Sequence, residues 1–134
     1  MLNIVKFILF ICLLWPLQAV SNDAACIAVT LTKEAATEGL LGKRAVFDTI
    51  ITRMKESGKT ACQVIMQPNQ FSWTKGIGTF PSPSKKELTT YSKVVNMKPV
   101  VRATHFHLTS VHPKWVRKMK FVKKIGKHLF YLER

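Results

Sequence analysis

Residues 7–15 read FILFICLLW, an uncharged apolar run that begins just after Lys6 and stops at Pro16. A run this short does not reach the roughly 20 apolar residues of a comfortable membrane span. It has no amphipathic face, so it does not read as a buried N-terminal helix of the domain. Small residues follow in LQAVSNDAA. A positive start, an apolar centre and a small-residue end make the layout of a secretory signal peptide, with cleavage expected after Ala19 or near Ala24 and Ala25. Residues 1–25 are therefore expected to be a signal peptide or an uncleaved signal anchor in the inner membrane. Residues 26–134 are then one domain, exported to the periplasm or beyond. Of the 134 residues, 47% are hydrophobic and 21% charged, enough for one packed core and too few residues for two.

Export bears on the cysteines. Cys12 lies in the apolar run and leaves with it, so Cys26 and Cys62 remain in a compartment that permits disulfides. They either form a bridge or stand as two separate buried thiols; the bridge is the expectation.

Twenty-one Lys and Arg stand against seven Asp and Glu, a formal net charge of +14. This argues against a cationic substrate and favours an anionic partner. Residues 114–127 concentrate the charge in KWVRKMKFVKKIGK. The segment could be membrane-active, a nucleic-acid binder or a solvated face. Nucleic acid is not expected, because export argues against it and no stacking motif accompanies the charge. We expect the segment to hold the domain on an anionic wall polymer or an outer-membrane surface. The seven acids are Asp23, Glu34, Glu38, Asp48, Glu56, Glu87 and Glu133, so carboxylate chemistry has few carriers.

The pattern predicts helices over residues 26–37, stopped by Gly39, and over 40–55, where Val46, Ile50 and Met54 form an i, i+4 stripe. Thr60 with Gln63, and Ser84 with Glu87, have capping-box spacing and open two further helices. The second of these carries Leu88, Tyr91 and Val95 and ends at Pro99. Residues 76–84 (GIGTFPSPS) read as a loop. Residues 101–108 alternate like a strand, and 119–132 like two strands turned at Ile125-Gly126. The expected class is α+β, with helices first and a small sheet last.

Glu34 and Glu38 lie four apart, which on a helix puts both on one face at about 6 Å. Such carboxylates repel, and a partly buried one keeps its proton to higher pH, as a general acid at a glycosidic oxygen must. An alternative is a solvated helix face. Gln70 and Ser72 could line a groove or cap a turn. His105 and His107 would share a strand face, as substrate contacts or structural residues. With His112 and His128 they do not make a metal-ligand spacing, so no metal and no cofactor is expected. Trp73 and Trp115 could stack on sugars or pack a core.

The ordered set carries more than its parts. It runs Cys26, Glu34-Ala35, Glu38, Gly42, Ala45-Val46, Arg53, Thr60-Ala61-Cys62, Gln67 and Gln70-Phe71-Ser72-Trp73. It continues through Ala103-Thr104-His105-Phe106-His107, Val111, Pro113, Trp115, Ile125-Gly126, His128 and Phe130-Tyr131. This set resembles the SleB-type cell wall hydrolases over residues 26–131. The chain departs from that pattern in four places. Ala36-Thr37 replaces Arg-Gly, and Thr52 stands where Asn is usual. Asn69 and Lys75 replace two Cys that flank the Q-F-S-W element, which leaves Cys26 and Cys62 as the remaining pair. Residues 98–103 replace a D-x-T-x-G-A element.

The resemblance implies a lysozyme-like helical lobe with a small antiparallel sheet. It implies an enzyme that cuts peptidoglycan glycan strands at MurNAc-β-1,4-GlcNAc bonds, as a lytic transglycosylase or muramidase; a monomer is expected. It makes Glu34 the acid, then base, with Glu38 raising its pKa or positioning it. The small size suits a phage endolysin or a bacterial autolysin. The rival expectation is a non-catalytic, cationic wall- or membrane-binding protein.

Overall fold

The computed structural model describes residues 21–68 and 70–134. The reading of the apolar N-terminal run, with Cys12, lies outside the described residues. Four α-helices precede a three-stranded antiparallel sheet. They are α1 (Asn22–Ala35), α2 (Leu40–Ser57), α3 (Ala61–Ile65) and α4 (Lys85–Val95). The strands are β1 (His105–Leu108), β2 (Met119–Ile125) and β3 (His128–Glu133), in spatial order β1-β3-β2. Short 3₁₀ turns at Ser72–Thr74 and Lys114–Lys118 lie where the sequence pattern gave no helix. The class is α+β, as expected.

The helix starts follow local chemistry. Both capping boxes form: Thr60 accepts from the Gln63 N–H and Ser84 from the Glu87 N–H, and each glutamine or glutamate side chain returns the bond. The first helix differs from its expected bounds. The Ser21 hydroxyl accepts from the Ala24 N–H and starts α1 at Asn22, ahead of residue 26. Asp23 Oδ1 then accepts from the Ala61 N–H at 3.0 Å, so residues 22–25 belong to the folded unit. Helix α1 stops at Ala35 rather than 37. Lys43 Nζ donates to the Ala35 carbonyl at 2.9 Å and also to the Glu38 carbonyl, taking up a helix-end acceptor.

The core packs Ile27 and Leu31 of α1 against Val46 and Ile50 of α2, with Val64 and Ile65 of α3 and Val94 of α4. The stripe Val46, Ile50 and Met54 faces this core. In α4 the inward residue is Val94, whereas Val95 is 40% exposed. Cys26 and Cys62 form a disulfide that joins α1 to α3. A second small cluster joins Ala45 of α2 to Ala103, Ile125 and Phe130.

The expected strand over 101–108 is shorter, and the reason is electrostatic. The N–H groups of Val100 and Val101 donate to Asp48 Oδ2 at 2.7 and 3.1 Å, not to a neighbouring strand. Pairing with β3 begins with the Thr104 N–H, which donates to the Tyr131 carbonyl, and continues in register from His105↔Tyr131 to Leu108↔His128. The β2–β3 hairpin turns at Gly126, whose φ of 57° is in the left-handed region.

Breaking the Cys26–Cys62 bridge, which closes a loop of sequence separation 36, is expected to cost about 4 kcal/mol on the chain-entropy model. Denaturant unfolding of the double Ser variant measures this; an unchanged midpoint would contradict it.

Candidate active site

A cleft of about 760 Å³ opens between the end of α1, the segment 66–75 and strand β1. Glu34 lines it, together with Gln70, Ser72, Trp73, His107, Trp115 and His128. Strand β1 contributes Phe106, His107 and Leu108 to it, and β3 contributes His128.

Glu34 is set apart among the acids. Asp23 caps α3, Asp48 pairs with Arg44 at 2.7 Å, and Glu87 closes a capping box. Glu56 faces Arg102 at 3.6 Å, Glu133 faces His105 at 3.9 Å, and Glu38 accepts from the Lys127 N–H at 2.7 Å. Glu34 is partly buried and has no hydrogen bond or ion pair to its carboxyl among the described residues, whereas Glu133 is exposed and meets only His105, a partner just when that ring is protonated. Partial burial without a compensating donor disfavours the carboxylate and pushes the Glu34 pKa up to about 7.

Glu38 corrects an expectation. Helix α1 has ended before it, so the two glutamates do not share a helix face. Burial, and not the charge of Glu38, is what raises the pKa of Glu34. Glu38 instead turns toward the β2–β3 hairpin. A Cβ on Gly126 would lie 2.0 Å from Glu38 Oε2, and one on Gly42 would lie 2.6 Å from Glu38 Cβ. Glycine at both positions lets the carboxylate seat against the turn. The spacing Glu38, Gly42, Gly126 in the sequence is one structural device.

The histidines divide. His105 and His107 share a sheet face and both pack on Trp115, at 5.3 and 5.6 Å between ring centroids. His107 lines the Glu34 cleft, and its Nε2 lies 2.9 Å from the Tyr131 hydroxyl. His105 lines two adjoining clefts of about 520 and 270 Å³ with Arg53 and Thr104, not the cleft of Glu34. Burial and the nearby Arg53 lower the His105 pKa, against the opposing pull of Glu133 and Glu56. Gln70 lines all three clefts and joins them.

The sequence pattern does not single out His128 for the site. Its side chain is buried, with Nδ1 3.4 Å from Glu38 Oε1. Burial lowers its pKa, Glu38 opposes, and His107 adds to the lowering. The signal available in the sequence is its place next to the Ile125-Gly126 turn.

A family model described as Cell Wall Hydrolase matches residues 37–131. The chain belongs to the cell wall hydrolase family. This cell wall hydrolase is an enzyme that acts on peptidoglycan. Its fold is similar to two solved structures. One is the catalytic domain of the germination-specific lytic transglycosylase SleB from Bacillus anthracis. The identity is 24% and the TM-score 0.70, over 87% of this chain and 98% of that one. The other is the catalytic domain of the Bacillus cereus SleB protein. Here the identity is 24% and the TM-score 0.68, over 85% of this chain and 93% of that one. No curated protein matches the hydrolase in sequence.

The raised Glu34 pKa has a stability consequence whose sign is fixed. Between the ordinary carboxyl value of 4.5 and about 7, the folded hydrolase holds a proton that the unfolded chain has lost. Its stability therefore falls as pH rises through that window. Glu34→Gln is expected to be more stable than wild type at pH 8 by roughly 2–3 kcal/mol, with the gain vanishing near pH 4.5. Urea unfolding at both pH values checks this; an equal or smaller gain at pH 8 would contradict it.

Proposed function

We propose that the enzyme cleaves the glycan strands of peptidoglycan at MurNAc-β-1,4-GlcNAc bonds, as a lytic transglycosylase with Glu34 as its one acid and base. The observation that carries the reading is the unpartnered Glu34 carboxyl on the large cleft, protonated for much of its time near neutral pH. Glu34 gives its proton to the glycosidic oxygen as the C1–O4 bond breaks. The Glu34 carboxylate then takes the proton of the 6-hydroxyl of the same MurNAc as O6 closes on C1. The product is a 1,6-anhydro sugar, and neither water nor a second carboxylate enters the reaction. The seating of Glu38 in the hairpin supports this economy, since it withdraws the nearest acid in sequence from the chemistry. Ser72, His107 and Gln70 are the polar groups we assign to the glycan. The Bacillus anthracis relative, itself a lytic transglycosylase, supports the same activity here.

We place the enzyme outside the cytoplasmic membrane, as an endolysin or autolysin, with the apolar run at residues 7–15 as the centre of its export signal or anchor. The Cys26–Cys62 disulfide supports that compartment. A second surface bears on retention there. Strand β2 is the sheet edge opposite β1, and Lys120, Lys123 and Lys124 on it are exposed beside Phe121. This edge is the part we assign to an anionic wall polymer or outer-membrane surface.

Clearing of purified peptidoglycan tests the chemistry. Glu34→Gln is expected to lose at least about 100-fold in rate while still sedimenting with the wall. Soluble products are expected to lack one water relative to hydrolysed ends. Normal clearing by Glu34→Gln, or products with reducing ends, would contradict the assignment. Wild type that binds but never clears would favour a non-catalytic binder. Retention on the wall is expected to fall steeply as salt is raised, screening acting over about 8 Å at physiological strength. Replacing Lys120, Lys123 and Lys124 by Gln is expected to weaken it at low salt, and salt-independent retention would contradict the charged edge.

A further inference from the structure

We propose that Glu38 and His128 form a positioning pair, in which Glu38 fixes the imidazole tautomer and His128 presents Nε2 to the glycan as a hydrogen-bond acceptor. The proposal rests on the glycan-cleaving reading and adds to it a substrate contact and the residue that orients it.

Four observations meet at this place. The His128 side chain is buried, yet it lines the cleft that holds Glu34. Its Nδ1 is fully enclosed and has no hydrogen-bond partner among the described residues. The polar atom facing Nδ1 is Glu38 Oε1 at 3.4 Å. Glu38 cannot swing away freely. Its Oε1 accepts from the Lys127 N–H, its Oε2 fills the space beside Gly126, and its Cβ packs over Gly42.

The tautomer follows from electrostatics. A neutral imidazole carries one N–H and one lone pair. A lone pair on Nδ1 would face a carboxylate oxygen across a buried gap, so the proton sits on Nδ1. The distance is longer than a good hydrogen bond, so the effect is one of charge against an N–H dipole. Nε2 is then the acceptor. The ring is fixed from its sides as well: it meets Phe106 edge to face at 5.3 Å, and Phe130 lies at 6.2 Å. The titratable groups acting on it are Glu38 from the α1–α2 turn and His107 from β1; the Lys127 backbone N–H holds Glu38, and Lys33 and Glu34 from α1 line the same cleft. An acceptor fixed on a cleft wall selects for a hydroxyl or an acetamido N–H, both of which a peptidoglycan glycan carries.

Nitrogen-15 NMR of the wild-type ring tests the pair without a variant that could misfold. Resonances of the Nδ1–H, Nε2-acceptor form are expected in the free enzyme. The Nε2 resonance is expected to move when a soluble peptidoglycan glycan fragment is added to Glu34→Gln, which does not consume it. In kinetics, His128→Gln is expected to lose about 10-fold in kcat/KM, mostly through KM, as one lost hydrogen bond would give. Glu38→Gln keeps an oxygen for the Lys127 N–H and is expected to shift the ring toward the Nε2–H tautomer. An Nε2–H ring in wild type would overturn the proposal. So would glycan-induced shifts at Trp115 or Ser72 with none at His128, and that result would leave the proposed reaction standing. No glycan-induced shift anywhere would overturn both.

Discussion

The buried carboxylate of Asp48 holds three parts of the chain together. One oxygen meets Arg44 Nε at 2.7 Å; the other takes the N–H groups of Val100 and Val101. Arg44 in turn donates to the Val94 carbonyl at the end of α4 at 2.9 Å. A buried charge pair of this kind is not itself a large source of stability, but removing either partner strands a charge and typically costs about 3–5 kcal/mol. Its importance here is placement. The chain leaves α4, is pinned to α2 at 100–101, and enters β1 shortly afterwards in the register that sets the cleft wall. Glu38 does the same for the other end of the sheet by holding the β2–β3 turn. The helical lobe and the sheet are thus joined by two carboxylates, and the cleft lies between the two parts so joined.

That use of acids gives Glu34 its character. In a chain with three times as many basic as acidic residues, a carboxyl near the surface would ordinarily find a cation. Five others have found a partner, Glu133 is left exposed beside His105, and the partly buried Glu34 has found none among the described residues. Its acidity is therefore set by burial rather than by a neighbour. A proton held in this way is available to a bond being broken, and its conjugate base is not tied to a lysine or arginine afterwards. The proposed transglycosylation needs both properties in one side chain. The basic edge strand β2 lies across the sheet from β1 and contributes no residue to the cleft, so the surface we assign to an anionic polymer and the cleft do not compete for the same residues.

What the sequence disclosed depended on the range of the interactions. Capping boxes at Thr60 and Ser84 are four-residue devices, and both were legible. So were the hairpin turn at Gly126, the helical stripe of α2 and the cysteine pair. The late start of the strand expected from 101 was not, because the alternation there is genuine but the Val100 and Val101 N–H groups are claimed by Asp48, some fifty residues earlier. Glu34 was legible as a candidate for a reason that the structure replaces: proximity to Glu38 suggested charge repulsion, and the operative cause is burial. Glu38 and His128 belong to a contact across ninety residues of chain, which no local pattern encodes. Val94 and Val95 show the same limit on a smaller scale, since adjacent valines on α4 differ only in which one meets the core.

The most direct measurement of the central claim is the ionisation of the Glu34 side chain itself. With carbon-13 in the glutamate carboxyls, NMR across pH 3–9, with Glu34→Gln for assignment, gives its midpoint without reference to activity. A midpoint close to 7 is the result required by a buried, unpartnered acid on the cleft. A midpoint near 4.5 would mean that water or a neighbouring charge solvates the carboxylate, and Glu34 would then be ionised at neutral pH and unable to protonate a glycosidic oxygen there.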